Sequence, residues 1–300
     1  MKTNVKKHIL SVIIASIMSP VAMAGAYQFE VGAAGIETDY DNIDANSRLI
    51  GGSFYLKPIE SHQAPLAEAG YFAKAGYLSF SALNTTNDFD DYEADTRDFS
   101  LYVVTEANHI ILGIGKTSEK RGIDNMETSS GIIDVSEDRD SAYVVVGAYL
   151  SNTSSLQLQF DRGDGEYEEK HYLSSPQDSG YYQYNNSYEI TEVTAEYKNI
   201  VQLNNGSHLS FDLELNRKNI ANAEIEKGIE FDTTLYPTRQ LGIGFSLGAT
   251  NSDASDNTRT YGINIEHFVT ENIAIFTLLE REKMDNVDAD TLAFGIYARL

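Results

Sequence analysis

The 300-residue chain has no cysteine, no tryptophan and only five prolines. Without cysteine, disulfides cannot stabilise the fold and thiol chemistry is excluded. Basic residues are also few, since 22 lysines and arginines stand against 45 aspartates and glutamates and give a formal net charge of −23. Because nucleic acids are polyanions, so acidic a chain is not expected to bind them.

Long apolar runs are lacking outside the N-terminal region. Residues 1–24 begin with a basic stretch, continue with an apolar segment at 9–21 and end in Ala22-Met23-Ala24. This order is typical of a secretory signal peptide, and the apolar segment is short for a membrane anchor helix, which is the alternative. We therefore expect residues 1–24 to be removed and residues 25–300 to form one domain. No later segment approaches the ~20 apolar residues of a membrane helix.

The sequence is instead rich in alternation of apolar and polar residues. In SHLSFDLELN (207–216), Leu209, Phe211, Leu213 and Leu215 alternate with polar residues, which is the period of a strand with two unlike faces. About fourteen strands are expected, within a range of roughly twelve to sixteen. They are predicted at 26–37, 48–57, 76–84, 97–106, 108–117, 141–151, 155–162, 187–199, 207–217, 225–236, 240–249, 258–268, 272–282 and 290–300.

The connections between these strands alternate in length. Short ones, such as 151–154 and 203–207, follow longer acidic ones, such as 84–96 and 251–257. An all-β, transmembrane antiparallel β-barrel has this arrangement, with short periplasmic turns and long extracellular loops. A soluble β-sandwich, the alternative, does not predict such regularity. The long loops at 118–140 and 162–187 are candidates for an inward-folded constriction. The connection at 57–75 is an exception on the short-turn rim and has a predicted helical turn at 66–73.

The chain also resembles a known family near its start. AYQFEVGAAGIETDYDN and GGSFYLKPIESHQAPLAEAGYF are similar to the general porin family of marine and related gammaproteobacteria, although Ala64 and Gly70-Tyr71 replace the usual Gly and Ala-Phe. The specific similarity covers residues 26–83. The resemblance implies a pore in the cell outer membrane and supplies no catalytic residues.

The final strand, TLAFGIYARL, ends in Leu300, where barrels of this kind usually end in Phe. We still expect it to engage the barrel-assembly machinery. Aromatic residues near the short-turn ends are predicted to form a girdle at the lipid interface, namely Tyr27, Phe29, Tyr149, Tyr236 and Phe268. Outer-membrane lipid and lipopolysaccharide with its bound divalent cations are the other expected partners, and a homotrimer is left open.

In a barrel whose apolar face meets lipid, the polar face lines a water-filled lumen. We therefore predict a porin for passive diffusion of small hydrophilic solutes and ions, with mild cation preference, no enzymatic activity and no cofactor. Arg162 and Lys198 are the expected opposing charges in this lumen. The predicted pore-lining residues are Glu192, Glu196, Lys198, Asp212, Glu214, Glu230, Asp232, Glu266 and Arg162.

Three alternatives remain. A substrate-specific channel needs aromatic stacking residues in the lumen, and only Tyr102 and Tyr297 suggest them. A structural or adhesive barrel would not conduct. An outer-membrane lipase would use His208 and Ser210, which lie two positions apart on one strand face. The acidic loop at 87–95 is rich enough in carboxylates for Ca²⁺ but lacks the spacing of a calcium loop, so no metal site is predicted.

Overall fold

A computed structural model describes residues 26–40, 43–60, 65–87, 92–128, 131–174, 179–221, 224–253, 257–284 and 287–300. The expected signal peptide, residues 1–24, lies outside the described residues. The described part forms one closed barrel of fourteen antiparallel strands, in which each strand pairs with the next and β1 pairs with β14. The predicted all-β barrel and its strand number are therefore confirmed.

The strands are β1 (Ala26–Tyr40), β2 (Ile43–Glu60), β3 (Tyr77–Asn87), β4 (Tyr92–Val104), β5 (Ile110–Thr128), β6 (Gly131–Tyr149), β7 (Ser154–Ser174), β8 (Ser179–Gln202), β9 (His208–Ile220), β10 (Glu224–Tyr236), β11 (Leu241–Ser252), β12 (Thr258–Thr270), β13 (Ile273–Lys283) and β14 (Asp288–Arg299). A 3₁₀ turn (Leu66–Glu68) and the short helix α1 (Ala69–Phe72) occupy the β2–β3 connection. They confirm the helical turn expected at 66–73. Among the described residues, no helix is long and apolar enough to cross a membrane.

The outer surface of the barrel carries a belt of exposed apolar side chains. Ile114, Val144, Phe160 and Val193 lie opposite one another on β5, β6, β7 and β8, and each is at least 44% exposed. Soluble monomers rarely expose apolar patches larger than a few hundred Å². A belt that follows the strands around the barrel is the lipid-facing surface of a transmembrane barrel. Leu215 belongs to this belt, so the leucines of SHLSFDLELN face outward as predicted.

The long rim differs from the prediction. Most of residues 118–140 and 162–187 lies within strands β5 to β8, so neither segment is a loop that folds inward as a constriction. These strand extensions carry many polar residues on both faces, which hides the apolar alternation on which the prediction relied. Cross-strand charge pairs accompany them instead, including Lys120 with Asp138 at 2.8 Å. The remaining connections of these hairpins, 129–130 and 175–178, lie outside the described residues.

The opposite rim carries the tight turns. The Asn205-Gly206 turn is as expected, because Gly206 has a φ of +84° and its N–H donates to the carbonyl of Leu203 at 3.0 Å. The barrel also closes at this rim, where the N–H of Leu300 donates to the carbonyl of Phe29 at 2.8 Å. The final strand is thus paired along its whole length.

Candidate functional site

The β2–β3 connection turns into the barrel at the short-turn rim. We call residues 65–75 the plug. The N–H of Leu66 donates to the carbonyl of Arg239 in the β10–β11 turn, at 2.8 Å, so the plug crosses the barrel from β2. Lys74, with a φ of +47°, then reverses the chain before β3 begins at Tyr77.

A buried carboxylate attaches the plug to the wall. Glu68, only 8% exposed, lies 3.1 Å from the Nζ atom of Lys198 on β8. The hydroxyl of Tyr236 on β10 donates to its other oxygen at 2.9 Å. A carboxylate removed from water is costly unless it is paired and hydrogen-bonded, and Glu68 has both kinds of partner. Glu68 therefore joins the plug to two strands at once.

Tyr71 makes the next attachment. Its hydroxyl donates to Oγ of Ser155 on β7 at 3.3 Å, and its carbonyl accepts from the hydroxyl of Tyr149 at 3.2 Å. The Nζ atom of Lys198 lies 5.4 Å from the centre of the Tyr71 ring. Burial raises the pKa of Tyr71 to about 12, so the hydroxyl stays protonated and can donate.

Apolar contacts complete the closure. Leu66 packs with Phe268 and Ala274, and Ala69 packs in a second cluster with Tyr27 and Ile59. The plug thus contacts β1, β2, β6 to β8, β10 and β12 to β14 at the short-turn end of the lumen. This corrects the predicted aromatic girdle for four of its five residues: Tyr27, Tyr236 and Phe268 are at most 5% exposed and Tyr149 binds Tyr71, because these rings pack inward on the plug.

Eight of the nine predicted pore-lining residues lie on the inner face of the wall. They alternate with exposed apolar residues such as Val193, Leu215, Ile229 and Ile265. The strand register then brings together groups that are far apart in sequence. The inner-face residues are Glu192, Glu196, Lys198, Asp212, Glu214, Glu230, Asp232 and Glu266.

Two cross-strand rows run along β8, β9 and β10. Glu196, Glu214 and Glu230 lie directly opposite one another, and the next row toward the plug holds Lys198, Asp212 and Asp232. Lys198 is shared between Glu68 of the plug and Asp212, whose oxygen is 3.9 Å from Nζ. Like charges opposite one another destabilise a sheet. The three glutamates therefore do not stabilise the pairing of β8, β9 and β10, and they place three carboxyl groups side by side in the lumen.

The other two predicted glutamates, Glu192 and Glu266, lie outside those rows. Glu192 lies opposite Lys218, which pairs with Glu226 at 3.3 Å. Lys218 was not among the predicted residues, although its alternation with Arg217 and Asn219 places it on the inner face. Glu266 lies at the level of the plug, where it accepts a hydrogen bond from Tyr297.

A cavity of about 240 Å³ lies above the plug. Carboxylates line one side, and Tyr102 and Val145 contribute to the other. Its wall residues are Tyr102, Val145, Gln157, Gln159, Asp161, Glu192, Thr194, Glu196 and Glu214. The cavity is therefore anionic on one side and partly apolar on the other.

Arg162 does not line the lumen, which corrects the prediction. It shares the outer face of β7 with Phe160 and pairs with Glu189 of β8 at 3.4 Å, where both side chains are more than half exposed. The reason is the period of two, since residues 160 and 162 of an unbroken strand face the same way. Of the two basic residues expected to oppose the lumen carboxylates, Lys198 therefore lies in the lumen and Arg162 does not.

The lumen contains a row of tyrosines that the sequence analysis missed. The ring centres of Tyr27 and Tyr55 are 5.7 Å apart, those of Tyr55 and Tyr77 6.1 Å, and those of Tyr77 and Tyr102 4.8 Å in a stacked pair. Gly113 makes room for Tyr102, because a β-carbon there would lie 2.9 Å from its ring. These tyrosines are separated by more than twenty residues in sequence, so only the strand register reveals the row.

The candidate lipase pair sits low in the lumen. Ser210 is 5% exposed, and the ring of His208 lies 6.4 Å from that of Phe72 in α1. Both side chains therefore lie beside the plug rather than on the lipid-facing surface.

The described residues contain no group of three or more histidines, aspartates and glutamates arranged to hold a metal ion. Residues 88–91 of the acidic loop lie outside the described part.

Comparisons with known proteins agree with this architecture. The chain is similar to the Acinetobacter baumannii outer membrane protein Omp33, with 16% identity over 92% of this chain and 99% of that one and a TM-score of 0.58. It is also similar to the CymD monoaromatic hydrocarbon channel (7% identity, 100% and 94% coverage, TM-score 0.59). A third similar structure is the Pseudomonas putida toluene transporter TodX (8% identity, 95% and 93% coverage, TM-score 0.51).

No protein-family model and no curated protein matches the chain. The similarity of residues 26–83 to the general porin family therefore stays a resemblance. The apolar belt and the outer-membrane proteins among the similar structures agree with the predicted location in the outer membrane. The chain has the fold of a fourteen-stranded outer-membrane β-barrel.

Proposed function

We propose that this protein is an outer-membrane channel through which small hydrophilic solutes diffuse, with a preference for cations, and that the plug closes its short-turn end in the conformation described here. The observation that carries this proposal is the row of Glu196, Glu214 and Glu230 in the lumen, beside a row in which Lys198 is already paired with Glu68. A lumen lined by one sign of charge concentrates ions of the opposite sign.

Ion selectivity tests the proposal. In planar bilayers separating unequal KCl concentrations, the reversal potential should indicate K⁺ over Cl⁻. Glu196→Gln should shift it toward zero, because Glu196 borders the cavity. Glu189→Gln is the matched control, since Glu189 lies on the same strand but on the outer face. Anion preference in the native protein, or equal shifts in both variants, contradicts the assignment of these carboxylates to a cation pathway.

The tyrosine row supports a second candidate, a channel specific for organic cations. Tyr102 borders the cavity opposite its carboxylates, and aromatic faces attract cations. A solute such as arginine could use both walls, whereas citrulline has nearly the same shape without the charge. Uptake into protein-containing vesicles should then favour arginine, and Tyr102→Leu should reduce that preference. Equal uptake of the two solutes supports the general porin instead.

A non-conducting structural barrel is the remaining candidate. It predicts no current even when Glu68, the main polar attachment of the plug, is replaced by alanine. The absence of a catalytic step stays a prediction. It is contradicted if the native protein hydrolyses a phospholipid and Ser210→Ala does not.

A further inference from the structure

Four neighbouring strands project above the rest of the barrel on the rim opposite the plug. Strands β5 to β8 contain 19, 19, 21 and 24 residues, whereas β9 to β14 contain 11 to 13. The β8–β9 pairing ends at Ile190 and Ile220, but the β7–β8 pairing continues from there to Ser174 and Ser179. We call residues 179–188 of β8 the free edge, because no described residue pairs with them on the β9 side.

The register shows which backbone groups are available there. The carbonyl of Glu189 accepts from the N–H of Ala221 on the β9 side, and the N–H of Ile200 donates to Thr153 on the β7 side. The backbone N–H and carbonyl groups of odd-numbered β8 residues thus point away from β7. No register shift interrupts the β7–β8 pairing between Glu189 and the tip of β8. The residues that present an N–H and a carbonyl to the free edge are Tyr181, Gln183, Asn185 and Ser187.

Nothing in the sequence of this edge prevents strand pairing. Native proteins usually protect exposed edges with lysine, proline, a bulge or a covering segment. Residues 181–188 read YYQYNNSY, with no charge and no proline, in a chain where 22% of residues are charged. Tyr181, Tyr182 and Tyr184 are each at least 50% exposed. Tyrosine, glutamine and asparagine in an uncharged strand favour pairing with a like strand.

We propose that the free edge pairs antiparallel with the free edge of a second copy of this chain. Two copies with a net charge of −23 each repel one another, so they can approach most easily where both are uncharged. The available groups of residues 181–187 are centred on Tyr184. Pairing about that centre places Gln183 opposite Asn185 of the second copy and the two Tyr184 rings side by side, which is a favourable cross-strand pair.

The symmetry determines where such a contact can form. The two-fold axis of an antiparallel edge-to-edge pair is perpendicular to the sheet and therefore to the barrel axis. Rotation about it reverses the barrel, so the two copies point in opposite directions. Within one membrane all copies point the same way. The contact therefore joins barrels in two facing outer membranes, and it acts as a homotypic adhesion between cells.

Site-specific crosslinking tests the pairing in the full-length protein. The native chain has no cysteine, so a single cysteine reports one contact. In detergent, which removes the constraint on orientation, Tyr184→Cys should form a disulfide-linked dimer on mild oxidation, because opposed residues at the two-fold axis lie within disulfide reach. Tyr182→Cys is the matched control: it is equally exposed on the same face but lies opposite Asn186, so it should stay monomeric.

Vesicle clustering tests the biological geometry. Vesicles containing the native protein should aggregate, as measured by light scattering, and Asn185→Pro should abolish aggregation because it removes a donor from the free edge. Proline is tolerated at an edge position whose N–H faces solvent, and circular dichroism checks that the barrel is intact. Asn185→Thr retains the donor and should cluster like the native protein. The proposal is overturned if Tyr184→Cys forms no disulfide-linked dimer in detergent and vesicles containing the native protein do not cluster. The free edge would then be a site for a different polypeptide.

Discussion

The two ends of this barrel differ in the burial and pairing of their polar groups. At the plugged end, Glu68 and Tyr236 are nearly fully buried, and each has a partner in another part of the chain. At the projecting end, the backbone of Gln183 and Asn185 faces outward without a described partner, and both side chains are exposed. Buried and paired polar groups at the plugged end suit a closure of the lumen. Exposed backbone groups at the projecting end suit a contact surface.

The difference lies in how each end is connected. The plug is short but contacts strands from β6 to β14, so its position depends on several long-range interactions. The projecting strands depend mainly on their sequence neighbours through hairpin pairing. Substitutions at the plug should therefore change opening of the channel, whereas substitutions at the projection should act locally.

The largest effect is expected in the apolar belt that supports both ends. Leu213→Arg places a charge on the lipid-facing surface, which costs ~2–4 kcal/mol near the bilayer midplane. We expect impaired assembly, measured by heat-dependent mobility on gels and by urea unfolding in vesicles. Glu214→Gln changes the next residue on the inner face and should assemble normally. Normal assembly of Leu213→Arg contradicts the outward orientation of Leu213.

A substitution at the plug comes next. Glu68→Ala leaves Lys198 and Tyr236 without their shared partner, and loss of one member of a buried pair costs about 3 kcal/mol, or about a hundredfold in the closed-to-open equilibrium. The open probability of single channels in planar bilayers should rise accordingly. Glu106→Ala is the control, since Glu106 is exposed in the β4–β5 turn of the same rim. An unchanged open probability shows that Glu68 does not hold the plug.

The sequence predicts the barrel well because its strongest signal, the period of two, is local. All fourteen strands were expected near their observed positions, and the inner face of β8, β9 and β10 follows from the same pattern. Arg162 could also have been assigned correctly by counting from Phe160. The helical turn of the plug was predicted from its own residues, but not its position inside the lumen. Its partners Lys198 and Tyr236 lie more than a hundred residues away in sequence.

The projecting strands were missed for a different reason. Apolar alternation disappears where a strand rises above the lipid, because water contacts both faces. Residues 131–140, GIIDVSEDRD, therefore read as loop although they continue β6. The pairs that accompany this extension, such as Lys116 with Asp140 at 3.3 Å, become visible only in the strand register.

A smaller effect at the plug separates the two partners of Glu68. Tyr236→Phe removes one hydrogen bond to the carboxylate and keeps the ion pair with Lys198. A hydrogen bond to a charged group contributes about 1.5 kcal/mol, so the open probability should rise roughly tenfold. A rise as large as that of Glu68→Ala means that Tyr236 alone retains the plug, and no rise means that Lys198 does.

The smallest effect is expected on the outer face of the projection. Lys120 and Asp138 form an ion pair in which both side chains are more than half exposed, and such pairs contribute little. Lys120→Gln should leave amide hydrogen exchange in residues 118–140 unchanged. Its neighbour Arg121 faces inward and binds Glu137, which is 8% exposed, so Arg121→Gln should accelerate exchange there. If amide hydrogen exchange accelerates equally in both variants, the inner and outer faces do not differ in this respect. Surface charge pairs then also stabilise the projection.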